Sequence, residues 1–251
     1  MDKIKRLPVF SLVVLFLATG MTLLPLLPQN NAAARESSLV RQATSLQNLY
    51  RGLVSLSFDF SQVTRTGGRE RQGRGNAVFF RPQNLHDKTT GGPQAITHSV
   101  MRWNYTAPDR QVIMSDGKTL SIYTAKDRQM IKVPADKMDS DITYTFFAGT
   151  GNLLDNFEVL PPDPRFVYGA ANKLQAIRLV PKRPHNQIKA VQLWFDQKNI
   201  IHHLVIEDPF GSVTELTFTN IRLNSLPTKD QAKLHDILFF TPPPGTEMIS
   251  R

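Results

Sequence analysis

The fold is decided by the stretch from Met101 to Tyr123, MRWNYTAPDRQVIMSDGKTLSIY. Trp103 and Tyr105 project to one face of a first predicted strand, and Pro108 ends that strand. Two further apolar segments follow Pro108, so the stretch predicts three strands in series.

The turn between the second and third of these strands is predicted at Asp116-Gly117, because a two-residue type I′ turn needs positive φ at both central positions. This turn would pair Ser115 with Lys118, Ile113 with Leu120 and Gln111 with Ile122. The opposite face would then carry Val112, Met114, Thr119, Ser121 and Tyr123. Each face mixes apolar and polar side chains, whereas a simple sandwich strand alternates more cleanly. The pattern favours a sheet with a core on one face and an apolar cavity on the other.

The rest of the chain extends this sheet and adds a helix before it. A helix is predicted over residues 37–51, with one apolar stripe made of Leu39, Ala43, Leu46, Tyr50 and Leu53. Strands are predicted at 56–61, 75–81, 129–133, 174–180, 188–195, 201–207 and 212–221, with a turn at 208–211 and a long polar loop at 83–100. The chain is therefore predicted to be mainly β, with a curved or partly closed antiparallel sheet.

A second helical segment lies between two groups of strands. Asp139, Ser140 or Asp141 would begin a short helix, and Gly149 and Gly151 would end it. This segment and the residues after it carry four large apolar side chains, Phe146, Phe147, Leu153 and Leu154. Short glycine-flanked segments are better suited to moving than to bracing a core, which favours a lid over an apolar pocket.

The first residues predict export. Lys3, Lys5 and Arg6 precede an apolar run over 7–27, and Ala32-Ala33-Ala34 supplies the small residues of a cleavage site. We expect a signal peptide over 1–34 and one domain over 35–251; an uncleaved membrane anchor is the alternative. The chain has no cysteine, so it needs no oxidative folding and no N-terminal cysteine can be lipidated.

Composition and motifs argue against several classes of function. The chain has a net charge of +9, but its basic residues are not interleaved with aromatic ones as in nucleic-acid binders. His202 and His203 are adjacent on a predicted strand and would point to opposite faces, so they cannot hold one metal ion together. Sequence motifs of hydrolases, zinc enzymes and phosphate-binding loops are absent. We therefore expect a protein without catalytic activity, without a cofactor or metal, and without a nucleic-acid partner.

Several short motifs, in order along the chain, resemble the periplasmic outer-membrane lipoprotein carriers, the LolA family. They are Phe60-Ser61-Gln62, a strand from Gly75 to Arg81-Pro82, Trp103-x-Tyr105-x-x-Pro108, Ser115-Asp116-Gly117-Lys118-Thr119-Leu120 with Tyr123, Asp208-x-x-Gly211, and Phe240-Thr241-Pro242-Pro243-Pro244-Gly245. Ser121 departs from the family pattern, which has a large aromatic residue there, and this change would alter the cavity wall.

The resemblance implies an incomplete antiparallel β-barrel, or half-barrel, with an α-helical lid over an apolar cavity. It implies that Arg81 hydrogen-bonds the lid backbone in the closed form and so acts as a latch. Residues expected to form the acyl-chain cavity and lid are Leu46, Phe58, Phe60, Phe79, Trp103, Tyr105, Met114, Tyr123, Phe146, Phe147, Leu153 and Leu154.

The function implied by this resemblance is that of a monomeric periplasmic chaperone. It would bind the acyl chains of lipoproteins released by an ATP-driven inner-membrane exporter and deliver them to an outer-membrane receptor. Two alternatives stay open at this point. One is a carrier of another lipid, such as a phospholipid or glycolipid, on the same half-barrel; the other is a periplasmic interaction protein that binds no lipid.

Overall fold

The computed structural model describes residues 30–82, 96, 98–135, 147, 152–166 and 174–250. The predicted leader up to residue 29, nearly all of the predicted loop at 83–100, and the predicted lid helix except Phe147 lie outside these residues.

Strands dominate the described part of the chain. The helices are α1 Asn30–Gly52, α2 Leu153–Asn156 and α3 Gln231–Leu238. The strands are β1 Ser55–Thr66, β2 Arg69–Phe80, β3 Val100–Ala107, β4 Gln111–Ser115, β5 Thr119–Thr124, β6 Gln129–Pro134, β7 Phe157–Leu160, β8 Gln175–Pro181, β9 Ala190–Phe195, β10 Ile201–Glu207, β11 Val213–Leu223 and β12 Glu247–Ser250.

All of these strands belong to one curved sheet in the order β12-β6-β5-β4-β3-β2-β1-β11-β10-β9-β8-β7. Strands β1 to β6 form one meander and β7 to β11 another, and β11 joins them by pairing antiparallel with β1. Strand β12 adds to β6 in parallel. Because β12 and β7 stay at the two edges, the sheet is open, and the prediction of an incomplete, mainly antiparallel barrel is confirmed.

Helix α1 covers one face of the sheet with its apolar stripe, as the 3.6-residue period predicts. All five predicted stripe residues are buried, and Ala43 and Leu46 are completely so. The helix packs mainly against α2, β7 and β8. A first core therefore lies between α1 and this face of the sheet, here called the inner face.

The outer face of the same strands is also covered, which explains their imperfect alternation. In β2, Ala77 and Phe79 face the α1 core, whereas Val78 and Phe80 pack with Leu234 and Leu238 of α3. The helix α3, which the sequence pattern did not predict, begins at Asp230, whose side chain accepts a hydrogen bond from the N–H of Lys233. The second apolar face of the strands thus packs against the C-terminal part of the chain.

The β4–β5 turn differs by one residue from the prediction. Ser115 pairs with Leu120, Ile113 with Ile122 and Gln111 with Thr124. The Asp116 carboxylate accepts hydrogen bonds from the N–H groups of Lys118 and Thr119, and Asp116 itself pairs with Thr119 through its own N–H. The central residues are therefore Gly117, with φ of +85°, and Lys118.

Because of this turn shift, each residue of β4 pairs with a β5 residue two positions later than predicted. The predicted assignment of side chains to the two faces of the sheet therefore stays correct. Val112 and Tyr123 lie together on the outer face, where they pack with Phe240. Ser121 is opposite Met114 on that same face, so the prediction that Ser121 alters the cavity wall is wrong. The predicted turn at 208–211 is confirmed by the hydrogen bond from Gly211 N–H to the Asp208 carbonyl.

Candidate functional site

The inner face of β1, β2, β3 and β11 carries a continuous group of aromatic side chains, here called the aromatic face. Its members are Phe58, Phe60, Phe79, Trp103 and Phe218, all buried. The Phe58 ring centroid lies 4.7 Å from that of Phe218 and 5.5 Å from that of Trp103. Phe60 lies 4.7 Å from Trp103. Alternation along the strands places these rings together, and their tilted and edge-on contacts are the arrangements that aromatic pairs favour.

Phe147 covers the aromatic face from the segment that links β6 to β7. Its ring centroid lies 5.3 Å from Phe58, 5.5 Å from Phe79, 5.4 Å from Phe218 and 5.7 Å from Tyr50 of α1. A single side chain outside the sheet thus contacts the centre of the aromatic face and the helix that covers it.

Leu153, also in this link, is fixed to α1. It is 2% exposed, and its N–H donates a 2.7 Å hydrogen bond to Oε1 of the buried Gln47. Because Gln47 is a polar residue inside an otherwise apolar helix face, this bond satisfies a group that would otherwise be costly to bury. The periodicity of α1 did not single out Gln47; a polar side chain next to the stripe was the available signal.

Tyr50 attaches α1 to the sheet at a second point. Its hydroxyl accepts a 3.0 Å hydrogen bond from the N–H of Ile201 in β10. Burial raises the pKa of the Tyr50 hydroxyl well above its ordinary value, so the group stays neutral. The helix is therefore held by a directional contact as well as by apolar packing.

Arg81 contacts the C-terminal end of α1. Its Nη2 donates a 2.9 Å hydrogen bond to the Tyr50 carbonyl, and its Nη1 donates one of 2.5 Å to the Arg51 carbonyl. These carbonyls belong to the last turn of the helix, where a cation is also favoured by the helix dipole. Partial burial lowers the pKa of the guanidinium, but arginine remains charged. In the described residues, Arg81 therefore holds the end of the covering helix.

Little free space lies beside Arg81 among the described residues. A cavity of about 10 Å³ is lined there by Leu53, Phe79, Met101 and Phe147, among others. Such a volume holds at most about one water molecule. An apolar ligand would therefore reach the aromatic face only if Phe147 or α1 moved away from it.

The aromatic face ends in polar groups near the β1–β2 turn. The Tyr105 hydroxyl donates a 2.9 Å hydrogen bond to Oε1 of Gln62, whose Nε2 donates to the Thr64 hydroxyl at 3.2 Å. The Thr64 hydroxyl also lies 3.1 Å from that of Thr214 on β11. The inner face therefore changes along β1 from apolar to hydrogen-bonding side chains.

The structure brings most of the predicted cavity and lid residues together. One buried cluster contains Leu46, Phe58, Phe60, Phe79, Trp103, Phe147 and Leu153, and Tyr105 and Leu154 pack against it. Tyr123 and Met114 lie on the outer face instead, because strand alternation separates them from Ile113. Phe146 lies outside the described residues. Sequence reasoning did not select Phe218, although its position in the apolar alternation of β11 was a usable signal.

Ionisable groups near the sheet have structural partners. His202 Nε2 lies 3.1 Å from the Asp196 carboxylate. His203 Nδ1 lies 2.9 Å from the Thr217 hydroxyl, and the ring packs edge-on against Trp194. Burial lowers the pKa of His203 to about 4, and the more distant Glu215 carboxylate opposes this shift only in part.

Two further features bear on the kind of site. Within residues 30–82, 98–135 and the other described segments, no group of three or more His, Cys, Asp or Glu side chains is placed to bind a metal ion. In the same part of the chain, no helix combines the length and apolar character needed to cross a bilayer.

Curated relatives share most of the chain. An outer-membrane lipoprotein carrier protein of Chromobacterium violaceum is 25% identical over 232 residues, which is 90% of this chain and 98% of the relative. One of Nitrosomonas europaea is 30% identical over 151 residues, or 59% of this chain and 66% of the relative. Among solved structures, a LolA superfamily protein of N. europaea has a TM-score of 0.34 and 15% identity, covering 77% of this chain and 96% of its own.

The family model of the outer membrane lipoprotein carrier protein LolA matches residues 51–234, from the end of α1 to α3. This range contains the aromatic face, Arg81 and Phe147. Carrier proteins of this family are periplasmic and non-enzymatic, which confirms the prediction of a protein without catalytic activity. The chain belongs to the LolA family of outer-membrane lipoprotein carrier proteins.

Proposed function

We propose that this protein is a periplasmic chaperone that binds the acyl chains of lipoproteins leaving the inner membrane and carries them to an outer-membrane receptor. The observation that carries the proposal is the aromatic face with Phe147 lying on its centre. Acyl chains would take the place of Phe147 against Phe58, Phe79 and Phe218. Arg81 would act as the latch. Its hydrogen bonds to the Tyr50 and Arg51 carbonyls would hold α1 in the closed form and would break when the helix moves away.

Energetics require partners on both sides of such a carrier. Acyl chains with about forty CH₂ groups would cost tens of kcal/mol to expose to water, at ~0.8 kcal/mol per group. Non-covalent affinities reach at most about 20 kcal/mol. We therefore propose that an ATP-driven inner-membrane exporter supplies the work of extraction, and that the receptor binds the cargo more tightly than the carrier does.

Lipid extraction and mass spectrometry of the purified protein test the cargo. Bound triacylated lipoprotein supports the proposal. Bound phospholipid or glycolipid alone would instead make the protein a carrier of free lipid. A protein that carries neither, even after incubation with lipoprotein in detergent below its critical concentration, would contradict lipid carriage altogether.

A matched pair of variants tests the site. Phe147→Ala removes the ring that competes with cargo, and Phe240→Ala removes an equal ring from the outer face, where it packs on Tyr123. Truncating a buried Phe costs about 3–5 kcal/mol. Phe147→Ala should therefore destabilise the closed form, in which Phe147 is buried, relative to the open form that binds cargo. We expect F147A to bind a fluorescent triacylated lipopeptide more tightly and to release it more slowly. Equal cargo affinity in F147A and F240A would contradict the proposed site.

A further inference from the structure

One end of the sheet carries several loops together, and strand register identifies them. Arg65 of β1 pairs with Glu70 of β2 and with Val213 of β11, so the β1–β2 and β10–β11 turns leave the sheet side by side. Register along the neighbouring strands adds three more loops to the same end. This set, here called the hairpin end, comprises residues 65–71, 108–110, 125–128, 182–189 and 208–212.

Phe210 projects from the hairpin end into solvent. Its side chain is 88% exposed, whereas the other exposed large apolar residues in the described chain are 38–49% exposed. The turn that presents it is ordered by hydrogen bonds, because one Asp208 carboxylate oxygen accepts the N–H groups of both Phe210 and Ser212 at 2.8 Å. Gly211 supplies the positive φ, +89°, that the turn needs. A large ring held in water on an ordered turn indicates a contact surface rather than a fraying loop.

The same end is basic. The five loops hold nine Lys and Arg residues and four acidic residues, Glu70, Asp109, Asp127 and Asp208. Glu247 of β12 adds a fifth carboxylate beside Arg128. Arg65 is neutralised by Glu70 and Glu215. Arg69 and Arg71 are exposed, and no carboxylate of the described residues forms an ion pair with either. These two cations are thus available to an outside partner.

Arg69 and Arg71 line a groove of about 440 Å³ together with Thr64, Thr66 and Gly67. Hydroxyl and guanidinium groups suit the phosphate of a lipid head group, and none of these side chains would receive an apolar anchor of a partner protein. The cations are also spread over several loops around a single projecting ring. An extended anionic surface with a shallow apolar layer matches this arrangement, because basic residues are attracted to anionic bilayers and aromatic rings settle at head-group depth.

We propose that the hairpin end docks this protein on an anionic phospholipid bilayer, with Phe210 in the head-group layer and Arg69 and Arg71 against lipid phosphates. Docking needs no acyl chain on the aromatic face, so it goes beyond the carrier function and stands independently of it. It would bring the polar end of the inner face, at Gln62 and Tyr105, towards the membrane surface.

The test uses protein expressed from the full sequence and purified after export. Co-sedimentation is measured with vesicles of phosphatidylcholine alone and with vesicles containing phosphatidylglycerol at about 30 mol%. We expect binding to the anionic vesicles only, weakening as salt shortens the range of electrostatic attraction. Absence of binding to anionic vesicles at low salt, or equal binding to both kinds, would overturn the proposal.

Two charge variants locate the surface. Arg69→Gln/Arg71→Gln removes two charges from the hairpin end, and Lys118→Gln/Lys198→Gln removes two exposed charges from turns at the opposite end of the sheet. Each basic residue near an anionic bilayer adds electrostatic attraction to the free energy of membrane binding. Losing two of these residues should therefore weaken vesicle binding about 30-fold. The matched control should stay close to the parent. An equal loss in both double variants would mean that net charge alone drives binding, and would overturn the assigned surface.

Phe210 is tested by two substitutions. Phe210→Ser should weaken vesicle binding about tenfold, whereas Ile237→Ser, at an exposed apolar residue of α3 away from the hairpin end, should not. Phe210→Trp places an indole at the same point, and its emission should shift to the blue on anionic vesicles, because the native Trp103 and Trp194 are already buried. An F210W emission spectrum that stays unchanged on vesicles that bind the protein would exclude insertion at this turn.

Discussion

Replacing Arg81 by Leu should loosen the C-terminal end of α1. The change removes both hydrogen bonds from the guanidinium to the Tyr50 and Arg51 carbonyls and leaves these helix-end acceptors to water. It also removes a cation from a position that the helix dipole favours. Phe79 and Met101 line the space beside Arg81 and can pack in part against a Leu side chain at that position.

The size of the effect follows from these contacts. Hydrogen bonds to a charged group contribute about 1.5–3 kcal/mol each, and the half-exposed position argues for the lower limit, or about 3 kcal/mol for the pair. Burial of the new Leu side chain should offset about 1 kcal/mol of this loss. The net destabilisation of about 2 kcal/mol corresponds to a decrease in Tm of about 4–8 °C for a chain of this size.

Thermal unfolding and amide hydrogen exchange measure this loss at two levels. Local opening at residues 47–53 should become about 30-fold more frequent in Arg81→Leu, as a loss of about 2 kcal/mol requires. The frequency of opening in Arg81→Lys should lie between those of the parent and Arg81→Leu, because an ammonium group cannot reach both carbonyls in the same fork geometry. Arg222→Leu makes the same chemical change at an exposed site on β11 and serves as the control. If R81L and R222L had the same Tm and the same exchange at 47–53, the reasoning about Arg81 would be refuted.

Three further predictions concern stability. Tyr50→Phe should cost about 1–2 kcal/mol in urea unfolding, because the buried N–H of Ile201 loses its acceptor. Gly75→Ala should cost about 3 kcal/mol or more, since a Cβ at this position would lie 1.8 Å from the Asn104 carbonyl oxygen; a parent-like melting curve would contradict this. His203, with its pKa lowered to about 4, binds its proton less readily when folded than when unfolded, so acidification from about pH 6.5 to about pH 4 should remove about 3 kcal/mol of stability. His203→Asn should flatten that part of the pH profile relative to the parent.

The predicted sheet was largely correct because its evidence is local. Period-2 alternation and turn residues identified most strands, and one apolar stripe identified α1. The hairpin at Asp116 shows where local evidence fails: Asp-Gly admits two neighbouring turns, and the side-chain hydrogen bonds of Asp116 favour the later one. The predicted assignment of residues to the two faces stays correct despite this error, because the shift moved each pairing partner by an even number of residues.

The candidate site was predictable where it depends on strand alternation and not where it depends on packing. Phe58 and Phe60 could be assigned to one face from their spacing alone. Assignment of Tyr123 to the cavity could not be checked in this way, because both faces of β5 carry apolar residues. Only the position of Phe240 on the outer face showed which side Tyr123 packs against.

By itself, the sequence determined a mainly antiparallel sheet with apolar side chains on both faces of several strands, a covering helix and a basic chain, since periodicity and composition are properties of neighbouring residues. The tertiary structure alone decided that Phe147 covers the aromatic face, that Arg81 holds the last turn of α1, and that the turn carrying Phe210 leaves the sheet beside the β1–β2 turn. These contacts join residues far apart along the chain. Their geometry follows from strand register and from the packing of α1 on the sheet, which no local pattern encodes.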